Sequence, residues 1–419
     1  MKTYIEEINI TKLRHLENID ININSEYSKN HLILTGKNGS GKTTVLNSIK
    51  KYLKSIEDNM YYQIKIDYKK TIESYKNRLK QIEQGININR ENPREKQIYK
   101  EDIISLKDNI NRYEDGLSIK ISNDEDITSK YREGSFILAF FNANRATKVE
   151  VPNSVNKIDL LNNYSIDADI DSKFLDYLVY LKTQQSFARN EDDIDTVEAI
   201  GAWFDKFENA LKDLFEDDSI KLKFDYRNLN FKVQQNGRED YGLNELSDGF
   251  SAVLDIIMNL ILRMEKNREG LSYNKEGIVL IDEIETHLHI GLQKKILPFL
   301  TSFFPNIQFI VTTHSPFVIS SIDNAVIYDL EKKIQLEDLS AYSYEGIVEG
   351  YFNVDKYSKE AKEKLYRYKE LINKLNKSED EESEEFELRN YLKGIPENLA
   401  SEIVYEFKNI ELSKLKKRK

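Results

Sequence analysis

The segment Gly36-Lys37-Asn38-Gly39-Ser40-Gly41-Lys42-Thr43-Thr44 constrains the fold more than any other part of the chain. It follows the apolar run Leu32 to Thr35 and opens a helical pattern near Val45. Strand, glycine-rich loop and helix in that order, at the G-x-x-x-x-G-K-[ST] spacing, predict a phosphate-binding loop. Glycines let the backbone curl so that several N–H groups point at phosphate oxygens. The helix that follows adds its positive end. Asn38, Gly39, Ser40, Gly41, Lys42, Thr43 and Thr44 are therefore the expected nucleotide site. Lys42 would reach the β- and γ-phosphates of ATP, and the Thr43 hydroxyl would hold Mg²⁺.

Three later segments narrow the class. Gly277-Ile278-Val279-Leu280-Ile281-Asp282-Glu283 is an apolar run ending in two carboxylates, which predicts a parallel strand buried on both faces. Its acids emerge at the carboxyl edge of the sheet, where phosphate chemistry in open α/β folds takes place. Asp282 is the expected Mg²⁺ partner and Glu283 the residue that polarises the attacking water. Gln308 to Pro316 is a second apolar strand with a polar end, and His314 there is expected to contact the γ-phosphate, since imidazole both donates and accepts near neutral pH. Asn244-Glu245-Leu246-Ser247-Asp248-Gly249-Phe250 precedes a long amphipathic helix from Ser251 to Glu265, with Ser247 as a helix cap.

Together these segments resemble the ABC-type ATPases, and more narrowly the soluble branch shared with chromosome-maintenance and double-strand-break-repair ATPases. Leu246-Ser247-Asp248-Gly249-Phe250 is similar to that family's LSGGQ signature, which implies that Ser247 and Gly249 contact the γ-phosphate held by a second subunit. Asp248 stands in place of a glycine, Phe250 in place of glutamine, and Ile284 in place of the proline that follows the catalytic glutamate. For the family's Q-loop residue, Asn142, Asn144, Gln184 and Gln185 remain open. The stretch Asp282-Glu283-Ile284-Glu285-Thr286-His287-Leu288-His289 resembles more closely the AAA-named, ABC-folded ATPases of bacterial anti-phage systems, particularly Septu-type ATPases, and this likeness extends over most of residues 1–350.

The resemblance implies an α/β fold of P-loop ABC-ATPase type: a mixed or parallel central sheet, an antiparallel β lobe, a short helical-hairpin insertion and a C-terminal helical appendage. It also implies a homodimer or higher homo-oligomer closed by ATP, regulating a separately encoded effector such as an HNH-type nuclease. A DNA repair or recombination ATPase that grips DNA itself is the alternative. A transporter's nucleotide-binding subunit fits less well, because such a compact subunit lacks the insertion and the extra helical end. A zinc site at His287, His289 and His314 is not expected, since zinc needs three or four converging ligands and histidines at i and i+2 diverge on a helix.

Composition bounds these readings. The 419 residues contain no cysteine, which excludes a disulfide framework and thiolate catalysis. The start Met1 to Glu7 lacks the apolar core of a secretory signal, and Asp255 and Asn259 interrupt the longest apolar run, so a cytoplasmic protein without a membrane span is expected. A net charge of −11 argues against indiscriminate coating of nucleic acid, although Lys414, Lys416, Lys417, Arg418 and Lys419 leave a local nucleic-acid contact open.

The expected division is an ATPase domain over 1–340 and a helical region over 341–419. Within the first, 55–118 reads as a charged coiled-coil-like hairpin: Tyr68, Ile72, Tyr75, Leu79 and Ile82, then Ile103, Leu106, Ile110, Tyr113 and Leu117, around a break at Asn92-Pro93. Helices near 171–189 and 196–215 precede strands Ile220 to Phe224 and Leu229 to Val233 and a turn at Asn236-Gly237; Trp203, Phe204 and Phe207 are expected core. In the last region Lys362 to Asn376 and Ser401 to Leu412 read as amphipathic helices, and Ser378 to Glu385 as a solvated acidic linker. No acidic pattern there suggests a nuclease, and no carboxylate cluster outside the ATP site is expected to have metal-nuclease character.

Overall fold

The computed structural model describes residues 2–23, 31–66, 68–83, 97–105, 116–145, 150–265, 274–336, 339–351, 359–374, 376–396 and 400–417. The chain separates into two compact units, 1–341 and 342–419.

The first unit opens with the hairpin β1 (Ile5–Leu13) and β2 (Leu16–Asn22), then strand β3 (His31–Thr35) and helix α1 (Lys42–Glu57). An insertion of α2 (Tyr61–Ile66), α3 (Tyr68–Glu83) and α4 (97–105) leads to β4 (Leu117–Ile121), α5 (Ile127–Glu133) and β5 (Phe136–Phe141). Next come α6 (Phe174–Asn190), α7 (Ile194–Phe215), the strands β6 (Lys221–Asp225), β7 (Asn230–Gln234) and β8 (Tyr241–Gly242), and helix α8 (Asp248–Met264). The unit closes with β9 (Glu276–Ile281), α9 (Ile290–Phe303), β10 (Ile307–Thr312), α10 (Pro316–Ile319), β11 (Ala325–Asp329) and β12 (Ile334–Leu336).

Six strands form the central sheet in the order β12-β11-β3-β10-β9-β5, parallel except for β12. Strands β3 and β10 are buried at every residue, as a sheet covered on both faces demands. Parallel pairing brings the carboxyl ends of β3, β9 and β10 to one edge, so the loops after them meet. The separate β2-β1-β4 sheet is antiparallel and joins the same core through α1. Val45, Leu46, Ile49, Tyr52, Leu53 and Ile56 are buried at three- and four-residue spacing on that helix. Gln308 ties the two sheets directly: its side chain accepts from the Ile5 N–H at 2.7 Å and donates to the Ile5 carbonyl at 3.0 Å.

In the insertion, the rings of Tyr75 on α3 and Tyr99 on α4 lie 5.5 Å apart, so the two helices touch. Leu106, Ile110, Tyr113 and the Asn92-Pro93 break lie outside the described residues. Leu117 departs from the expected hairpin. It begins β4 opposite Ile10, because Leu117, Ile119 and Ile121 share a period-two buried face that the strand satisfies and a helix cannot. Trp203, Phe204 and Phe207 are buried in a cluster of tilted, stacked and edge-on rings with Phe174, Tyr177 and Phe231.

The second unit contains a one-turn helix α11 (Tyr344–Gly346), then α12 (Lys359–Asn373), α13 (Glu379–Lys393) and α14 (Ser401–Lys417), around Leu365, Tyr368, Leu392, Ile403 and Phe407. The acidic run is not a linker. Ser378 caps α13 with a full capping box, and Glu379, Asp380, Glu381 and Glu382 occupy its first turn, where negative charge complements the helix dipole. Arg367 then grips Glu384 through two N–H groups at 2.9 and 2.8 Å, while Lys377 and Lys414 both pair with Glu385.

Candidate active site

The loop from β3 to α1 carries three glycines at positive φ: Gly36 at 132°, Gly39 at 81° and Gly41 at 100°. L side chains resist that conformation, and a Cβ on Gly41 would also come within 2.8 Å of Leu16. The turn delivers Lys42 to the start of α1, whose first turn has no side-chain cap and no acidic residue. Its leading N–H groups are thus left for an anion. Lys42 is 5% exposed, and its ammonium donates to the carbonyls of Gly36 at 2.9 Å and Lys37 at 3.1 Å. Burial pulls its pKa down, against the carboxylates of Glu283, Glu285, Asp282 and Asp329. The buried Ser40 hydroxyl has no hydrogen-bond partner. An orphaned hydroxyl, an uncapped helix start and a buried ammonium suit a phosphate chain.

The facing wall is the loop after β9. Asp282, 4% exposed, accepts from the Thr43 hydroxyl at 3.2 Å and the Thr312 hydroxyl at 2.6 Å on the same oxygen. A carboxylate beside a hydroxyl is a hard-oxygen donor set of the kind Mg²⁺ takes. Thr312 also receives the Glu283 N–H at 2.7 Å, and its carbonyl receives the Ile284 N–H at 3.1 Å. Glu283 itself has φ 44°, a left-handed backbone rare outside glycine. Its carboxylate accepts from the Thr286 hydroxyl at 3.3 Å.

His314 lies just beyond β10, half-buried, with its main-chain N–H donating to Glu285 at 2.5 Å. Burial, reinforced by the charge of Lys42, holds the imidazole below its ordinary pKa and so neutral at pH 7. The structure therefore gathers Lys42, Thr43, Asp282, Glu283 and His314 about one end of the sheet.

Gly249 meets the far end of the acidic loop, and Ser247 stands two residues before that glycine. Ser247 occupies the N-cap position of α8 without a side-chain capping bond. Gly249 lets the helix approach so closely that a Cβ would sit 2.7 Å from the His287 carbonyl. The two departures from the signature pattern have local explanations. Asp248 is exposed in the first turn of α8, where its charge favours the helix dipole. The Phe250 ring stacks on Phe215 at 3.9 Å and meets His289 edge-on at 6.1 Å.

His287 and His289 sit in the loop, not on a helix: His287 has φ 67°, and the His289 ring nitrogen accepts the Leu292 N–H at 3.4 Å to cap α9. Gln185 is committed to packing α6 on α7 by a bond to the Val197 carbonyl at 3.0 Å, whereas Asn142 and Asn144 are exposed just past β5. Among the described residues, Asp169, Asp171 and Asp255 also come together, each with a carboxylate oxygen within 4.8 Å of the others. Asp171 and Asp255 are buried, and desolvation, with the neighbouring Asp171 and Asp169 charges, pushes Asp255 up to about 7.

Sequence reading missed Thr312, Glu285 and above all Arg145. Thr312 and Glu285 stand inside the segments singled out, but nothing local marks their partners. Arg145 is 6% exposed and reaches loop residues 137 to 139 positions away.

Residues 32–320 match the family model described as "AAA domain, putative AbiEii toxin, Type IV TA system". The chain belongs to this family of P-loop ATPases. The ATPase is 27% identical over 342 residues to the Septu protein PtuA of Bacillus mycoides (strain KBAB4), covering 79% of its own length and 41% of that protein. It is 29% identical over 221 residues to the retron Vc95 probable ATPase of Vibrio cholerae serotype O1 biovar El Tor, covering 51% of its own length and 40% of the relative. The chain thus spans about two-fifths of the length of these relatives. Among solved structures, an Smc head bound to the C-winged helix domain of ScpA aligns over 81% of this ATPase and 99% of that chain, at 13% identity and a TM-score of 0.38. The fold is a mixed six-stranded central sheet with two three-stranded antiparallel sheets in the same unit. Among the described residues no helix is long and apolar enough to cross a membrane.

Proposed function

We propose that this ATPase is the nucleotide-driven regulator of a bacterial anti-phage defence system, controlling a separately encoded HNH-type nuclease through ATP-dependent closure of a head-to-tail homodimer. The convergence of Thr43 and Thr312 on Asp282 beside the buried Lys42 carries the catalytic reading. The similarity to a Septu protein and a retron ATPase supports the defence setting.

In this reading Lys42 and the N–H groups of Ser40 to Thr44 hold the β- and γ-phosphates. Thr43 and Asp282 hold Mg²⁺, which would offset the phosphate charge. Glu283 takes a proton from the attacking water. The neutral imidazole of His314 hydrogen-bonds the γ-phosphate. Ser247 and Gly249 complete the site of the opposite subunit, so ATP favours the closed dimer and hydrolysis shifts the population back.

Glu283→Gln should keep ATP bound while slowing turnover by roughly 10²-fold or more, the scale of losing a positioned base, and sizing chromatography with ATP should then show a longer-lived dimer. Turnover at the parental rate would assign the base elsewhere. Mixing Ser247→Arg with Lys42→Ala subunits should restore up to one working site per heterodimer. No recovery in demonstrated heterodimers would remove the head-to-tail arrangement. Co-purification with the neighbouring gene's product, followed by a nuclease assay, addresses the effector. DNA cleavage by the purified ATPase alone, with Mg²⁺ or Mn²⁺, would overturn that assignment.

A further inference from the structure

We propose that Arg145 is a positioning residue for ATP hydrolysis: its guanidinium gathers the main-chain carbonyls of Asp282, Glu283 and Ile284 and thereby sets where the Glu283 carboxylate stands. The inference rests on the reading of Glu283 as the base.

Arg145 lies just past β5, at the neighbouring edge of the sheet from β9. One terminal nitrogen donates to the carbonyls of Asp282 at 2.7 Å and Asn142 at 2.9 Å. The other donates to those of Glu283 at 3.0 Å and Ile284 at 3.3 Å. Both terminal nitrogens are therefore occupied by main chain, and Nε has no partner. A group so engaged is not set out to bind phosphate; it holds backbone.

What it holds is an arrangement the backbone would not adopt unaided. Three consecutive carbonyl dipoles pointing to one side repel one another, and the chain gathers them by turning through φ 44° at Glu283. A cation at their focus removes the repulsion. It must also stay a cation when buried, which arginine does and lysine does less reliably. Burial works against the charge, and the carboxylates of Asp255, Glu285, Asp282 and Glu283 work for it. The planar fork matters too, because an ammonium is a point charge that cannot direct parallel N–H groups at carbonyls on successive residues. Thr312 fixes the N–H side of Glu283 and Arg145 fixes its carbonyl side, so the backbone is gripped from both directions.

The test is a double-mutant cycle between Arg145→Lys and Glu283→Gln in the full chain. Single-turnover hydrolysis of radiolabelled ATP gives the rates, and equilibrium titration with a fluorescent ATP analogue gives the affinities. Arg145→Lys should leave ATP affinity within about threefold and slow hydrolysis by roughly 10- to 100-fold, the scale on which a misplaced catalytic group loses rate. In the Glu283→Gln background the same substitution should cost less than about threefold, because its target is already gone. Losses that multiply across the cycle, an affinity loss equal to the rate loss, or a parental rate in Arg145→Lys would each overturn the proposal. Arg145→Gln, a neutral and shorter side chain whose amide cannot reach the carbonyls held by the two terminal nitrogens, provides a second variant should the lysine fail to fold. If neither folds, Arg145 is a structural core residue and the proposal falls. A Glu283→Gln single variant that hydrolyses at the parental rate would instead remove the base assignment itself.

Discussion

The phosphate loop and the acidic loop after β9 face one another across the same edge of the sheet, and both turn the chain through left-handed backbone. They do so by opposite means. In the phosphate loop every such position is glycine, so the conformation is available to the chain without help. In the acidic loop the positions are Glu283 and His287, which must be held there. The hold comes from Thr312 on the next strand, Arg145 beyond β5 and the Glu285 contact with His314. A loop whose task is to present N–H groups can dispense with side chains. A loop whose task is to present a carboxylate cannot, and its backbone is fixed from outside.

The largest effect should come from making the first loop behave like the second. Gly41→Ala places a Cβ at φ 100° and 2.8 Å from Leu16. ATP affinity should fall on the order of 100-fold, since both the backbone strain and the clash displace the N–H groups aimed at phosphate. Titration with a fluorescent ATP analogue measures it, and an affinity within threefold of the parent would mean that the loop does not depend on its glycines.

A smaller effect should follow from loosening the grip on the acidic loop. Thr312→Val keeps the shape and removes the hydroxyl that joins Asp282 to the Glu283 N–H. An unsatisfied donor costs roughly 1–3 kcal/mol, and hydrolysis should slow by about 10-fold with ATP affinity nearly unchanged. If affinity and rate fall together, the hydroxyl serves nucleotide binding and not loop geometry.

The smallest effect isolates the backbone alone. His287→Ala and His287→Gly both delete an exposed ring, but only glycine is at ease at φ 67°. The alanine variant should be less stable than the glycine variant by about 1 kcal/mol, the left-handed penalty of an L residue. Denaturant unfolding of the two would show it. Equal stability would mean that the loop relaxes at His287, and that only Glu283 is held against its preference.

The same contrast explains how much could be read in advance. Gly36 to Thr44 announces itself because spacing, glycine and lysine are local facts, and the apolar runs before Asp282 and Thr312 announce buried parallel strands. Leu117 misled because one residue fits a helical spacing and a strand spacing equally well, and only pairing with β1 chose between them. Ser378 to Glu385 misled because net charge suggests solvation, whereas the same acids placed behind a serine cap start a helix that packs through Leu392. The Asp169, Asp171 and Asp255 group was invisible because its members come from a segment and a helix far apart along the chain.

The sequence by itself determined that a glycine loop would lead into α1 with Lys42 at its start, since a glycine's freedom and a lysine's charge belong to the residue and not to its neighbours. Tertiary structure alone decided that Glu283 would stand where it does. Its conformation is intrinsically unfavourable, so it exists only where Thr312 on β10 and Arg145 from the loop past β5 outweigh the chain's own preference.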